Sequence, residues 1–149
     1  MLFKKISLAS DHAGFKLKEK IKKNLKKKKF TVVDLGPKTD SSVDYPDFAK
    51  SLANAILKGK VTRGVLICGS GIGISIAANR YLEIRAALVH DTLAAKLSRE
   101  HNNANVIAFG GRMIKDELAL KCLEIFLNTE FEGGRHARRV DKLSIGYEN

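Results

Sequence analysis

The chain has little of what would place it outside a reducing compartment or across a membrane. It holds only two cysteines, Cys68 and Cys122, in 149 residues, too few for the disulfide framework of a small secreted domain. No apolar run approaches the roughly 20 residues that a membrane span needs. The first 30 residues are Lys-rich, with no apolar block ahead of a small-residue cleavage site. A cytoplasmic, reduced protein is expected. Linkers rich in Pro, Gly or Ser are missing, as are internal repeats, so nothing marks a domain boundary. One domain over residues 1–149 is expected, long enough to bury a core without crosslinks.

Acidic residues are also in deficit. Lys and Arg number 27 against 16 Asp and Glu, a net charge of +11, which favours anionic partners without choosing among nucleic acid, acidic lipid and a phosphorylated metabolite. Much of the excess lies in FKLKEKIKKNLKKKKF, Phe15 to Phe30. Leu17, Ile21 and Leu25 recur every four residues there, the pattern of an amphipathic helix with one apolar stripe and a basic outer face. Aromatic and arginine side chains that would stack on bases are nearly absent from it. A solvated helix face is therefore preferred to a nucleic-acid patch, and neither a nucleic-acid nor a membrane partner is expected. A basic binding module remains the alternative from a different class.

What the chain does have is alternation. KISLAS (Lys5–Ser10), FTVVDL (Phe30–Leu35), GVLICG (Gly64–Gly69), RAALVH (Arg85–His90) and NVIAFG (Asn105–Gly110) read as five strands covered on both faces. Helical patterns lie between and after them, at His12–Lys28, Pro46–Lys58, Ile72–Asn79, Thr92–Arg99 and Lys115–Asn128. Strict alternation predicts right-handed crossovers and an α/β fold with a five-stranded parallel sheet between helices. In such sheets ligands collect outside the carboxyl ends of the strands. The polar oddities fall there: Asp11-His12 after the first strand, Cys68-Gly69-Ser70-Gly71 after the third, His90-Asp91 after the fourth, and Gly110-Gly111-Arg112 after the fifth.

Gly69, Gly71 and Gly73 are spaced G-x-G-x-G, which is not the dinucleotide fingerprint, and no Gly-Lys-Ser/Thr follows for a nucleotide P-loop. A glycine-rich turn opening a helix still offers unpaired N–H groups and a helix dipole to a negative charge. Cys68 is one residue from that turn, where a thiolate is favoured. It can be read as a nucleophile, as a general base, or as a small buried residue finishing a core strand. Base chemistry asks least: an acidified C–H, a hole for an enediolate oxygen, and a second group to move protons. Cys122, in an i, i+4 stripe with Leu118 and Phe126, reads as packing.

Asp11 is placed to cap the first helix, and His12 in its first turn suggests a ligand anion. His101, after the fourth helix, either complements the dipole or moves protons. In GGRHARR, Gly133 to Arg139, two glycines precede a short terminal helix on which Arg135 and Arg139 share a face. Paired guanidinium forks at that spacing suit a phosphate. Together these stations describe proton transfer on a small phosphorylated carbonyl compound.

The segments SLASDHAGFKLK, VDYPDFA, VLICGSGIGISIAANR, LSREHNNANVIAFGGR and FEGGRHARRV, in this order over nearly the full length, make the chain resemble the type B ribose-5-phosphate isomerases. Those belong to the sugar-phosphate isomerase family that includes the galactose-6-phosphate isomerase subunits. The resemblance implies a Rossmann-like three-layer α/β/α sandwich, a homodimer or dimer of dimers, and no metal or nucleotide cofactor. It also implies aldose–ketose isomerisation of ribose 5-phosphate and ribulose 5-phosphate, in the pentose phosphate pathway, with galactose or allose 6-phosphate as the alternative substrates. By the same resemblance Cys68 is the base that shuttles a proton through an enediolate, since the glutamate some members use is missing from GISIAAN. Ser70 assists the thiolate, and Gly69, Gly71, Ile72 and Gly73 form the enediolate hole. His101 opens the sugar ring beside Asn102. Asp11, His12, Tyr45 and Arg112 contact substrate, with Asp44 lining the same pocket. Arg135 and Arg139, in an arm over residues 132–149, bind phosphate, and the family's site combines residues from both subunits.

Overall fold

The computed structural model describes residues 4–145. The remaining ends of the expected 1–149 domain and of its 132–149 arm lie outside the described residues. The elements in chain order are β1 (Lys5–Ser10), α1 (Phe15–Lys27), β2 (Thr31–Asp34), α2 (Tyr45–Leu57), β3 (Gly64–Cys68), α3 (Ile72–Asn79), β4 (Ala86–Leu88), α4 (Thr92–Glu100), β5 (Val106–Gly110), α5 (Asp116–Asn128) and α6 (Arg135–Leu143). The five strands form one parallel sheet in the order β2-β1-β3-β5-β4.

The two-residue period of a strand sends alternate side chains to opposite layers. Ile6, Leu8, Val65, Ile67, Ile107 and Phe109 pack with Leu17, Ile21, Leu25, Cys122 and Phe126 of α1 and α5. Ala9, Leu66, Cys68, Val106 and Ala108 pack with Ala49, Leu52, Ala53, Ile74 and Ala78 of α2 and α3. The second layer uses smaller residues, which lets α2 and α3 approach the sheet closely. Cys122 is a packing residue with no exposed surface, and burial pushes its thiol up from its ordinary value.

Three expectations need correcting. β3 and β5 are buried throughout, but β2 and β4 are only partly covered and shorter than read, because they are the edges of the sheet. The first helix begins at Phe15 and not at His12. Asp11 Oδ1 accepts the Gly14 N–H at 3.1 Å, so Asp11 closes a turn ahead of the helix, and His12 lies in that turn. Nor is the basic face of α1 wholly solvated. Lys18 has no exposed surface; its ammonium reaches both Asp34 carboxylate oxygens at 2.9 Å and Glu19 at 2.9 Å.

Candidate active site

The chain passes from β1 outward to β2 and returns on the other side at β3. The crevice between the carboxyl ends of β1 and β3 is therefore a topological switch point, where open parallel sheets bind ligands. Backbone hydrogen bonds lock the strand ends together there. Asp11 N–H donates to Ile67 O at 3.1 Å, Gly111 N–H to Cys68 O at 2.8 Å and Arg112 N–H to Gly69 O at 3.0 Å. The sequences after β1, β3 and β5 thus meet in one cluster of Asp11, His12, Cys68, Gly69, Ser70, Gly71, Ile72, Gly73 and Arg112.

Gly71 caps α3 in the left-handed region, with φ 76°, and its N–H donates to Cys68 Sγ at 3.1 Å. Ile72 N–H donates to Ser70 Oγ at 3.1 Å. Two of the N–H groups expected to face an enediolate are thereby committed to the thiol and to a hydroxyl. Gly73 and Ile74, whose N–H groups have no intrahelical acceptor this early in a helix, are among the donors that can serve an oxyanion.

The loop is close-packed and not open. A methyl group on Gly71 would sit 2.5 Å from Leu88 Cδ1 and 2.7 Å from Phe109 C, and one on Gly110 would sit 2.6 Å from Ser70 O. Cys68 is correspondingly only 4% exposed, less than the accessible thiol expected, because it lies in the α2/α3 layer beneath the turn. Tyr45 joins from the start of α2: a methyl on Gly73 would meet its ring at 2.6 Å. Arg112 lies over Gly69, with Nη1 3.4 Å from where a Cβ would be. His12 Nδ1 lies 3.2 Å from Val43 N and 3.3 Å from Val43 O, so the Val43 backbone orients the ring and leaves Nε2 for a ligand. Asp44, at the N-cap of α2, is exposed.

His101, Asn102, Arg135 and Arg139 belong to a second cluster. Helix α4 runs antiparallel to the strands, so His101 at its carboxyl cap lies near the amino end of the sheet. The length of β5, about 3.3 Å per residue, separates it from Cys68. The His101 ring stacks on His136 of α6 with centroids 4.2 Å apart and planes 15° apart. His136 Nε2 is 3.4 Å from Glu132 Oε2. His101, Asn102, His136 and Arg139 line a cavity of about 290 Å³, and Arg135 opens the same helix as Arg139. Arg99 holds the turn that carries His101 and Asn102: Nη1 donates to Asn103 Oδ1 at 2.9 Å and to Ala104 O at 2.7 Å. Burial brings that guanidinium down to about 10.

The sequence reading missed Val43 as the residue that orients His12, and missed Glu132. The spacing of four between Glu132 and His136 was visible, but the two positive-φ glycines between them keep Glu132 outside α6, so a helical reading of that spacing would have been the wrong one. Nothing in the local sequence around Val43 marks it, because its role depends on a loop returning to the first strand end.

An open parallel α/β sheet with a thiol, a glycine turn at a helix N-terminus and an Asp–His pair at its switch point is an arrangement that can hold a small anionic ligand. The family model for Ribose/Galactose Isomerase matches residues 6–143, and the chain belongs to that family. Ribose-5-phosphate isomerase B of Escherichia coli is 43% identical over 141 residues, covering 95% of each chain. A ribose 5-phosphate isomerase structure from Thermotoga maritima has a TM-score of 0.93 at 51% identity, covering 94% of this chain and 97% of that one. The Mycoplasma genitalium ribose-5-phosphate isomerase B, solved with bound ribulose-5-phosphate, has a TM-score of 0.90 at 46% identity, covering 97% and 95%. These relatives are isomerases, and so is this chain; the three-layer fold expected from the sequence is the fold observed.

Proposed function

We propose that the protein interconverts D-ribose 5-phosphate and D-ribulose 5-phosphate, a step of the pentose phosphate pathway, with Cys68 as the base. The observation that carries this reading is the hydrogen bond from Gly71 N–H to Cys68 Sγ at 3.1 Å, beside a helix N-terminus at the switch point. A donor aimed at sulfur complements negative charge on it. The sulfur takes the proton from C2 of the open-chain aldose, leaving a 1,2-enediolate. Donors on Gly73 and Ile74 stabilise its oxygen, and the proton returns to C1 while a hydroxyl proton passes from O2 to O1. Asp11, His12 and Tyr45 hold sugar hydroxyls, Ser70 supports the loop, and Arg112 adds positive charge.

Ring opening needs a proton taken from the anomeric hydroxyl and one given to the ring oxygen, the role of His101 with Asn102 beside it. His101 cannot reach Cys68 in its own chain, so the complete site takes Cys68 from one copy and His101, Asn102, Arg135 and Arg139 from another. A homodimer, alone or paired into a tetramer, meets that need. Helix α3 supports it: Ile72 and Ile76 are 49% and 58% exposed, as is Leu82 at 53% just beyond it. Apolar residues one turn apart and open to water are what a subunit interface covers. An apolar-walled cleft of about 440 Å³ beside the β4 edge, lined by Leu82, Ile84, Asn102 and Leu143, adjoins the second cluster.

The test is turnover of purified protein on ribose 5-phosphate beside allose 6-phosphate, for wild type and Cys68→Ala. Turnover of the pentose by wild type, lost in the variant, is expected. Preference for the hexose would move the substrate assignment to the six-carbon branch. A Cys68→Ala protein with near-normal kcat would remove the thiol base.

A further inference from the structure

The second cluster carries more than a proton shuttle needs. We infer that His101, Glu132 and His136 form a binding site for a borderline divalent metal ion, with Zn²⁺ as the best fit, and that the ion acts as a reversible inhibitor. One nitrogen or oxygen from each of the three residues lies within 4.8 Å of the others. The Glu132–His136 separation of 3.4 Å is long for a charge-assisted hydrogen bond, normally about 2.7–2.9 Å. It matches the edge of a tetrahedron whose centre lies about 2.0–2.1 Å from each ligand, the bond length of zinc to histidine and carboxylate.

The backbone builds this arrangement from two separate pieces of chain. Glu132 N–H donates to Glu100 O at 3.1 Å, which fastens the carboxylate segment to the residue immediately before His101. Gly133 and Gly134 then take φ values of 67° and 54°, turning the chain into α6, whose second residue is His136. His136 is 7% exposed, which holds its ring in place. The His101 ring is held differently. It makes no hydrogen bond to any described residue and is fixed by the stack alone. An ion in the plane of His136 lies outside the plane of a ring stacked on it. Coordination therefore requires His101 to turn about its Cβ–Cγ bond and give up the stack, with a water completing a four-coordinate shell.

Two imidazoles and one carboxylate select by chemistry. Zn²⁺ and Cu²⁺ are favoured, Ni²⁺ and Co²⁺ follow, and Mg²⁺ and Ca²⁺, which want oxygen ligands, do not compete. Both imidazoles must be neutral to ligate, so metal and protons compete for the same nitrogens. Inhibition follows only if His101 is the ring-opening group, and so rests on the proposed isomerase reading. Binding of the ion does not rest on it.

The experiment uses untagged full-length protein and Zn²⁺ alone, titrated at pH 7.5 against a chromophoric chelator. Co²⁺ is then substituted to read the visible absorption of a four-coordinate site. One ion per chain is expected in the wild type and in Cys68→Ser. At least about a 10-fold loss of affinity is expected in His136→Gln and in Glu132→Gln, the second of which alters only an exposed side chain. Binding that vanishes in Cys68→Ser and persists in the other two would overturn the assignment, as would a wild type that takes up no ion at about 100 μM Zn²⁺, well above the affinities of protein zinc sites. Parallel assays on ribose 5-phosphate separate the two readings. Inhibition that follows the binding curve and is reversed by chelator supports both. Stoichiometric binding with full activity supports the ion site and overturns the ring-opening role of His101.

Discussion

Glycines beside the two clusters of site residues are there for different reasons. Beside the thiol cluster, a methyl group placed on Gly14, Gly71, Gly73, Gly110 or Gly111 would come within 3.0 Å of another atom. Beside the histidine cluster, methyls on Gly133 and Gly134 would meet nothing within 4 Å, and both residues have positive φ. The first group is needed for space, the second for chain direction. The thiol half of the site is consequently set by packing to within tenths of an ångström. The histidine half is hung on a turn whose glycines have open space around them. On the proposed dimeric reading, the two halves come from different copies of the chain, a rigid acceptor from one and an adaptable donor from the other.

The largest effect that could break this comparison is complementation. Cys68→Ala and His101→Ala should each lower kcat by about 10³-fold, in the range expected for loss of a general acid or base. Mixed in equal amounts under conditions that exchange subunits, they should recover about a quarter of wild-type activity. Half of the dimers are then mixed, and each mixed dimer has one intact site. Steady-state assay of the mixture against each parent reads this directly. A mixture no more active than its parents would mean that the two halves never meet.

Next in size is a contrast between glycines. Gly71→Ala combines a left-handed φ of 76° with a methyl 2.5 Å from Leu88, and should destabilise by about 3 kcal/mol while displacing the donor to Cys68. Gly133→Ala should cost only about 1 kcal/mol, the conformational penalty alone. Urea unfolding of both variants measures the difference. Equal losses would erase the distinction between space and direction.

Arg139→Ala tests the histidine half from the ligand's side. A guanidinium that holds phosphate equally in the ground and transition states should raise KM about 10-fold and change kcat by less than about 2-fold. A fall in kcat at unchanged KM would place Arg139 in the chemical step and not in phosphate capture.

The fold was legible because strand and helix periods alternate from β1 to α5, and because Ile, Val and Leu runs identify β1, β3 and β5. Edge strands were overestimated for the reason that apolar content records burial potential, while strand order decides which runs receive a cover on both sides. Of the site, Cys68 and the glycine turn could be found because a thiol before G-x-G-x-G is chemically unusual. The commitment of Gly71 N–H to sulfur was not legible, since it depends on a turn geometry that the spacing permits but does not impose. The separation of His101 from Cys68 was implicit in the alternation itself: a residue between a helix end and the next parallel strand always lies at the amino end of the sheet. Glu132 escaped notice because its partner histidine draws meaning from a stack formed 35 positions away in sequence, counting from 101 to 136.

The smallest predicted effect concerns what holds the thiol half in place. Burial alone would raise the Asp34 carboxyl, but hydrogen bonds from Lys22, Lys18 and the Gly36 N–H outweigh it and hold the group below the usual carboxylate range. A carboxylate depressed in the folded state stabilises the fold above its unfolded value, near pH 4. That contribution is lost as pH falls through the lower folded value. Ser10 N–H donates to Gly36 O at 3.0 Å, so this network is tied to the last residue of β1, next to Asp11. Asp34→Asn should therefore cost about 1 kcal/mol at pH 7, and the gap between wild type and variant should begin to close as pH falls below about 4. Thermal unfolding of both proteins between pH 3 and pH 7 resolves the two limbs. A gap that stays constant across that range would show that Asp34 acts through shape and not charge, and that the thiol half of the site is fixed by packing alone.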